Sequence, residues 1–214
     1  MDFVVLSSSG GTTFQAVIDR IADGLLTARC VGLVTDHADR GCVVKAERAS
    51  LPVRIVERRK GETREEYDYH LHAAILDLGP PPILACIGWM WLLSPWFVQQ
   101  WKHHILNVHP SLLPQYPGQH PHEEVLAACE RESGMTIHWV DDGIDTGPII
   151  VQKNCSVFPS DTVETLKKRV QELEKEWYPK VLQMIEDSKL KVPHEKSPLP
   201  APARRSLGEG GGEG

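Results

Sequence analysis

With 214 residues, 41% hydrophobic and 24% charged, the chain has apolar material for one full core, which argues against two catalytic domains. A net charge of −6 and a pI near 5.9 argue against a polyanion-binding surface, so no nucleic-acid partner is expected and the basic run Arg58-Arg59-Lys60 reads as a solvated loop. Five scattered cysteines read as reduced thiols of a cytoplasmic protein; with no basic n-region ahead of Phe3–Leu6 and no apolar run as long as a membrane span, neither a secretory leader nor a membrane partner is expected.

Phe3–Leu6 is a short apolar run closed by Ser7-Ser8-Ser9-Gly10-Gly11, and it reads as a buried first strand with its exit loop. Thr12 or Thr13 then caps a helix with Phe14, Val17, Ile18 and Ile21 on one face. Cys30–Val34 predicts a second strand, Asp39–Ser50 a second helix and Val53–Val56 a third strand. A third helix is expected over Thr63–Leu78, with Tyr67, Leu71, Ala74, Ile75 and Leu78 spaced for burial, and the stop Pro80-Pro81-Pro82 precedes a fourth apolar run, Ile83–Ile87. Strands alternating with helices imply an α/β fold, a mostly parallel sheet with helices on both faces. Right-handed crossovers make a Rossmann-like, doubly wound half the favoured topology.

The later chain departs from that rhythm. His104–Val108 predicts another strand, and Met135–Val140 and Ile149–Val157 two more, joined by the tight loop Asp141–Pro148 as a C-terminal antiparallel hairpin extension. Asp161–Glu186 is a long amphipathic final helix, with Val163, Leu166, Val170, Leu173 and Trp177 spaced for core packing. The expected domain spans 1–186, and residues 187–214, rich in Lys, Pro, Gly and Glu, read as a disordered tail without a catalytic role.

The part of the chain built for chemistry is Asn107-Val108-His109-Pro110-Ser111-Leu112-Leu113-Pro114-Gln115-Tyr116-Pro117-Gly118, followed by the rigid segment Asp142–Pro148. In extended backbone, residues two apart share a face, so the Asn107 amide and the His109 imidazole point the same way. Asp145 adds a carboxylate held between a glycine and a Gly-Pro corner. Together these groups stabilise an oxyanion and move a proton, the equipment of acyl or formyl transfer. Residue types alone also allow a bland reading, since Pro and Gly clusters mark turns.

Other segments carry the same ambiguity. Gly10-Gly11-Thr12-Thr13 lies where a strand meets a helix, as either a phosphate cradle or only a turn. Gly88-Trp89-Met90-Trp91-Leu92-Leu93-Ser94-Pro95 follows the fourth strand, where open parallel sheets place ligands, and its aromatics either wall a flat heterocycle or fill core. Arg64, at the positive end of the third helix, either meets an acid or is simply solvated. His120, His122 and His138 make a poor ligand set, so no metal is expected, and His70 and His72 read as surface helix residues.

The string Asn107–Pro114, then Tyr116-Pro117-Gly118, then Asp145-Thr146-Gly147-Pro148, resembles the folate-dependent formyltransferases, and among them the branch acting on glycinamide ribonucleotide in purine synthesis. The resemblance runs from Val4 to about Glu186. It implies a monomer or weak homodimer whose co-substrate is 10-formyltetrahydrofolate, with the substrate amine attacking the formyl carbon directly and no acyl group borne by the enzyme. Asn107 is implied to donate to the formyl oxygen, His109 to stabilise its charge as an imidazolium and pass a proton to the departing folate nitrogen, and Asp145 to favour the charged imidazole.

The family's Gly-Ser-Asn phosphate sequence aligns with Gly11, Thr12 and Thr13, where the change at Thr12 keeps a hydroxyl and the change at Thr13 loses an amide. Pro110, Gly118 and Glu174 are implied on the substrate side. Arg64, Met90, Trp91, Leu92, Leu93, Asn107, Val140 and Asp141 are implied on the folate side. The family has an arginine at the place of Trp91, so altered affinity for the folate's glutamate tail is expected. Three other readings share these motifs: hydrolysis of formyltetrahydrofolate, formylation of another amine, and non-catalytic binding of folate or nucleotide. The first two belong to families with an added N-terminal or C-terminal domain, for which the first strand at Phe3 and the short tail leave little room; the complete triad disfavours the third.

Overall fold

A computed structural model describes residues 1–190 of the chain: the first four residues of the expected tail turn back on the final helix, with Leu190 packed on the core, and the rest of that tail lies outside the described residues. The elements run β1 (Asp2–Leu6), α1 (Thr12–Ala22), β2 (Arg29–Thr35), α2 (Gly41–Arg48), β3 (Val53–Ile55), α3 (Arg64–Asp77), β4 (Ile83–Cys86) and α4 (Pro95–Gln100). They continue with β5 (Ile105–His109), α5 (Pro121–Ala127), β6 (Glu132–Trp139), β7 (Ile149–Ser156) and α6 (Val163–Glu186). The strands form one seven-stranded sheet in the order β3-β2-β1-β4-β5-β6-β7. β1 to β5 pair in parallel, whereas β6 pairs antiparallel with β5 and with β7.

The central strands read as unbroken apolar runs because both faces are covered. Phe3 and Val5 of β1 pack on the side of α1, α2 and α6, while Val4 and Leu6 pack with Tyr67, Leu71 and Ile75 of α3 and Phe97 of α4. All four β1 residues are fully buried, so each face of the sheet has its own core. β1 neighbours both β2 and β4, and strand order reverses there. Such a switch point opens a crevice at the carboxyl ends of the strands, where the loops after β1, β4 and β5 emerge.

Several expectations need correction. Neither Thr12 nor Thr13 caps α1: the N-cap is Gly11, left-handed at φ 73°, where a Cβ would come 2.9 Å from the Cα of Cys42. α2 is shorter than expected because Arg40 is extended and Ser50 takes a positive φ of 56°. α4 and α5 were not anticipated, although each has a proline in its first turn and Ser94 caps α4 by accepting from the Phe97 N–H at 3.2 Å. β6 starts at Glu132 rather than Met135, since Ser133 and Gly134 already pair with Cys155 and Asn154. Of the expected packing positions on α6 only Val163 is exposed; Leu166 and Val170 are buried, Leu173 and Trp177 pack partly buried against the core, and Tyr178, Val181, Leu182 and Ile185 extend the contact. His72 is half-buried among Trp96, Phe97 and Trp101 and accepts the Trp101 indole N–H at 3.0 Å, while His70 does lie at the surface beside Glu62. No helix among the described residues is long and apolar enough to cross a membrane.

The final helix is fastened to the strand that carries the site. The hydroxyl of Tyr178, fully buried on α6, donates to the Leu106 carbonyl of β5 at 3.0 Å. Tyr178→Phe is expected to cost about 1 kcal/mol, the usual net worth of one buried hydrogen bond. Urea unfolding should show it as a lower midpoint with an unchanged slope.

Candidate active site

β5 carries Asn107 and His109 on one face, as the two-residue strand period requires, and ends there because Pro110 has no N–H to continue the ladder. His109 is 4% exposed, and both of its nitrogens meet oxygen atoms. Nε2 lies 2.8 Å from the Tyr116 carbonyl, and Nδ1 lies 3.3 Å from Oδ2 of Asp145. Neither oxygen can donate, so Nε2 donates to the Tyr116 carbonyl, and a proton on Nδ1 would face the carboxylate at ion-pair distance. Asp145 stands in the left-handed region at φ 54°, and its Oδ2 also accepts the Gly118 N–H at 2.9 Å. Burial pushes this carboxyl up, but His138, His109 and the Gly118 amide more than offset that and hold it below the usual carboxylate value.

The loop bearing Asp145 is tightly built. Asp141 Oδ1 accepts from the Thr146 hydroxyl at 2.7 Å and from the Gly143 N–H at 3.1 Å. A Cβ at Gly147 would lie 1.8 Å from the Trp139 carbonyl, so only glycine permits the loop to return this close to β6. His138 lies directly across the sheet from Asn107, with its Nε2 3.1 Å from Asn107 Nδ2 and 3.6 Å from Asp145 Oδ1. From the sequence alone His138 is a candidate only for a metal site. Its neighbourhood depends on the β5–β6 register, which motif spacing does not reveal.

These groups face a cleft of about 920 Å³. Its wall includes Asn107, His109 and Asp145, together with Gly11, Thr12, Thr13, Pro110, Gly118 and Glu174 from the expected substrate side. Met90, Trp91, Leu92, Leu93, Val140 and Asp141 from the expected folate side line it too. Arg64 does not: it is exposed on the first turn of α3 and forms no part of the cleft wall. On that side of the cleft the guanidinium of Arg58 sits 5.3 Å from the centroid of a Trp91 ring. Trp91 is held in place by donating its indole N–H to Asp36 at 2.9 Å, and Arg40 grips the same carboxylate with two bonds.

At the start of α1 the Thr13 hydroxyl donates to Glu174 Oε2 at 2.8 Å, so of the two threonines Thr12 is the one exposed and without a side-chain hydrogen bond among the described residues. Burial pushes the Glu174 carboxyl up to about 7, against the opposing pull of that bond and of the nearby Lys167. His122 also lines the cleft, is buried with Nδ1 unpaired, and is pushed down to about 4 by desolvation. His120 is exposed and faces Glu123, so the three histidines weighed for a metal do not converge. No group of His, Cys, Asp and Glu among the described residues is arranged to hold a metal ion.

The formyl transferase family profile matches residues 1–182. The chain is 34% identical over 197 residues to phosphoribosylglycinamide formyltransferase of Escherichia coli (strain K12), covering 92% of each. It is 35% identical over 189 residues to the trifunctional purine biosynthetic protein adenosine-3 of Drosophila pseudoobscura pseudoobscura, covering 87% of this chain and 14% of that much longer one. Among solved structures, glycinamide ribonucleotide transformylase 1 from Symbiobacterium toebii superposes with a TM-score of 0.85 at 30% identity, covering 90% of this chain and 91% of that one.

The raised Glu174 carboxyl has a consequence for stability. Unfolded, it ionises near its ordinary value of 4.5; folded, it holds its proton to about 7. The folded chain therefore binds more protons in that window, and the carboxyl's contribution to stability, full below 4.5, is lost as pH rises to about 7. Melting temperatures of the wild type and Glu174→Gln, followed across this range, should diverge in favour of the variant with rising pH. Parallel profiles would contradict the assignment.

Proposed function

The chain belongs to the formyl transferase family, and on that footing we propose that it transfers the formyl group of 10-formyltetrahydrofolate to the amine of glycinamide ribonucleotide, a step of purine biosynthesis. The observation that carries this reading is the convergence, in one cleft, of an amide donor, a doubly engaged imidazole and a carboxylate on Asn107, His109 and Asp145. The cleft, at about 920 Å³, is near the upper end for a small-molecule site, room for two ligands side by side. Its apolar stretch, with Ile87, Met90, Leu92 and Val140, suits a flat pterin. The N-terminus of α1, with the Gly11 turn and the Thr12 hydroxyl, suits a phosphate, and Lys167 and Lys168 on the same cleft add positive charge.

When bound, the formyl folate supplies an activated formyl carbon for attack by the ribonucleotide's amine. Asn107 donates an N–H to the formyl oxygen as negative charge builds there. His109, held by Asp145 and the Tyr116 carbonyl, lends a fixed positive charge to the same atom. Its Nε2 proton passes to the leaving nitrogen as the ring gives up the Tyr116 carbonyl and the carbon–nitrogen bond to the folate breaks, and the ring then takes back the proton that the attacking amine loses in becoming an amide. Asp145 stays ionised throughout, since its neighbours hold its carboxyl below the usual value. Glu174, beside Thr13 on the cleft wall, would contact the sugar-amine substrate.

Release of tetrahydrofolate from the formyl donor, followed with and without glycinamide ribonucleotide, tests the reaction. Turnover that requires the ribonucleotide is the expected result; turnover without any amine would make the protein a hydrolase, and binding without turnover a carrier. Asn107→Ala should lower kcat about a hundredfold or more, the usual cost of one oxyanion donor. Asp145→Asn should reduce kcat by a larger factor than it raises KM, and equal factors would count against the role given to the carboxylate.

A further inference from the structure

The oxyanion donor is an amide, and an amide has two ends. Turned by half a rotation about its last side-chain bond, Asn107 would present its carbonyl oxygen to an atom that is gaining negative charge. Something must therefore decide which end faces the formyl group. The cross-strand neighbour of Asn107 on β6 is His138, which is 1% exposed, so water does not stand in for its contacts. His138 Nδ1 lies 2.9 Å from the Trp139 carbonyl, which only accepts, so this nitrogen carries a proton. In the neutral ring, Nε2 then offers a lone pair, and Asn107 Nδ2 stands 3.1 Å from it. Asp145 Oδ1, at 3.6 Å, is too far from Nε2 for a direct hydrogen bond.

We propose that His138 is a positioning residue: by accepting one amide proton of Asn107 at Nε2, it fixes the amide with its second N–H free for the formyl oxygen. With the amide reversed, the Asn107 carbonyl oxygen would meet the ring lone pair, acceptor against acceptor, at a ring that is itself buried. The Trp139 carbonyl is the origin of the arrangement, because it sets the ring tautomer that makes Nε2 the acceptor. The chain of control runs from one backbone oxygen of β6, through the imidazole, to the donor on β5. The inference rests on the formyl-transfer reading for the donor's purpose, but the contact itself does not.

The test is a mutant cycle in the full-length chain with 10-formyltetrahydrofolate and glycinamide ribonucleotide. His138→Phe keeps a ring and removes the acceptor, and it should lower kcat at least about tenfold while KM for either substrate stays within about threefold. His138→Gln, whose Oε1 reaches toward the place of Nε2, should recover most of the loss. In an Asn107→Ala background, His138→Phe should change kcat less than about twofold, because the residue it positions is gone. A full-size loss in that background would overturn the proposal and make His138 act through Asp145 or the fold, and a Gln variant no better than Phe would also overturn it. The ¹⁵N–¹H signals of the Asn107 side chain read the contact without turnover: one amide proton should be protected from exchange, and it should lose that protection in His138→Phe or, if that variant does not fold, in His138→Leu. A wild type with the protected proton but no turnover would sink the formyl-transfer reading alone, whereas an unprotected proton would sink the role of His138.

Discussion

A single ionised carboxylate, half-buried at Asp145, sets the terms for everything around it. Removing a charge from water costs several kcal/mol in a real protein, and breaking such a pair by deleting one partner typically costs about 3–5 kcal/mol. The chain meets this demand from two directions: the Gly118 amide and the His109 ring. Each comes from a different stretch of sequence, so the carboxylate ties the loop after β5 and the end of β5 to the β6–β7 loop that bears it. The same contacts that satisfy Asp145 orient His109, and stability and chemistry share one set of bonds.

The backbone bears the cost of bringing this group into place. Asp145 and Tyr116 both sit at positive φ, and Gly147 passes so close to the Trp139 carbonyl that no side chain fits. Strain of this kind persists where the surroundings over-determine it, and it gathers at functional sites. Here the over-determination is visible in Thr146 and Gly143, both bonded to Asp141, which turn the nine-residue excursion 140–148 between β6 and β7 into a stiff support. The opposite wall of the cleft is fixed by different means. Trp91 is tied through Asp36 to Arg40, which makes the wall an aromatic plane with Arg58 lying over it.

Much of this was legible in the residues. Apolar runs at Phe3–Leu6 and Ile83–Ile87 can only be strands buried on both faces, and the alternation with helical periods dictates a parallel sheet. The extended Asn107-Val108-His109 put an amide and an imidazole on one face by strand geometry alone. Short helices were harder: α4 and α5 are too brief for periodicity to declare them, and only their proline starts betrayed them. His72 misled because a helix position says nothing of which aromatic rings arrive from α4 and its C-terminal end.

Local chemistry, then, was written into the linear chain: which groups can donate, accept or carry charge, and which segments are stiff or buried. Three decisions belonged to tertiary structure. Strand register set His138 opposite Asn107, the return of the β6–β7 loop brought Asp145 to His109, and the docking of α6 carried Glu174 to the hydroxyl of Thr13. The physical reason is common to all three. Side-chain reach is a few ångströms, while the partners lie tens or hundreds of residues apart, so only the packing that closes those long loops determines who meets whom.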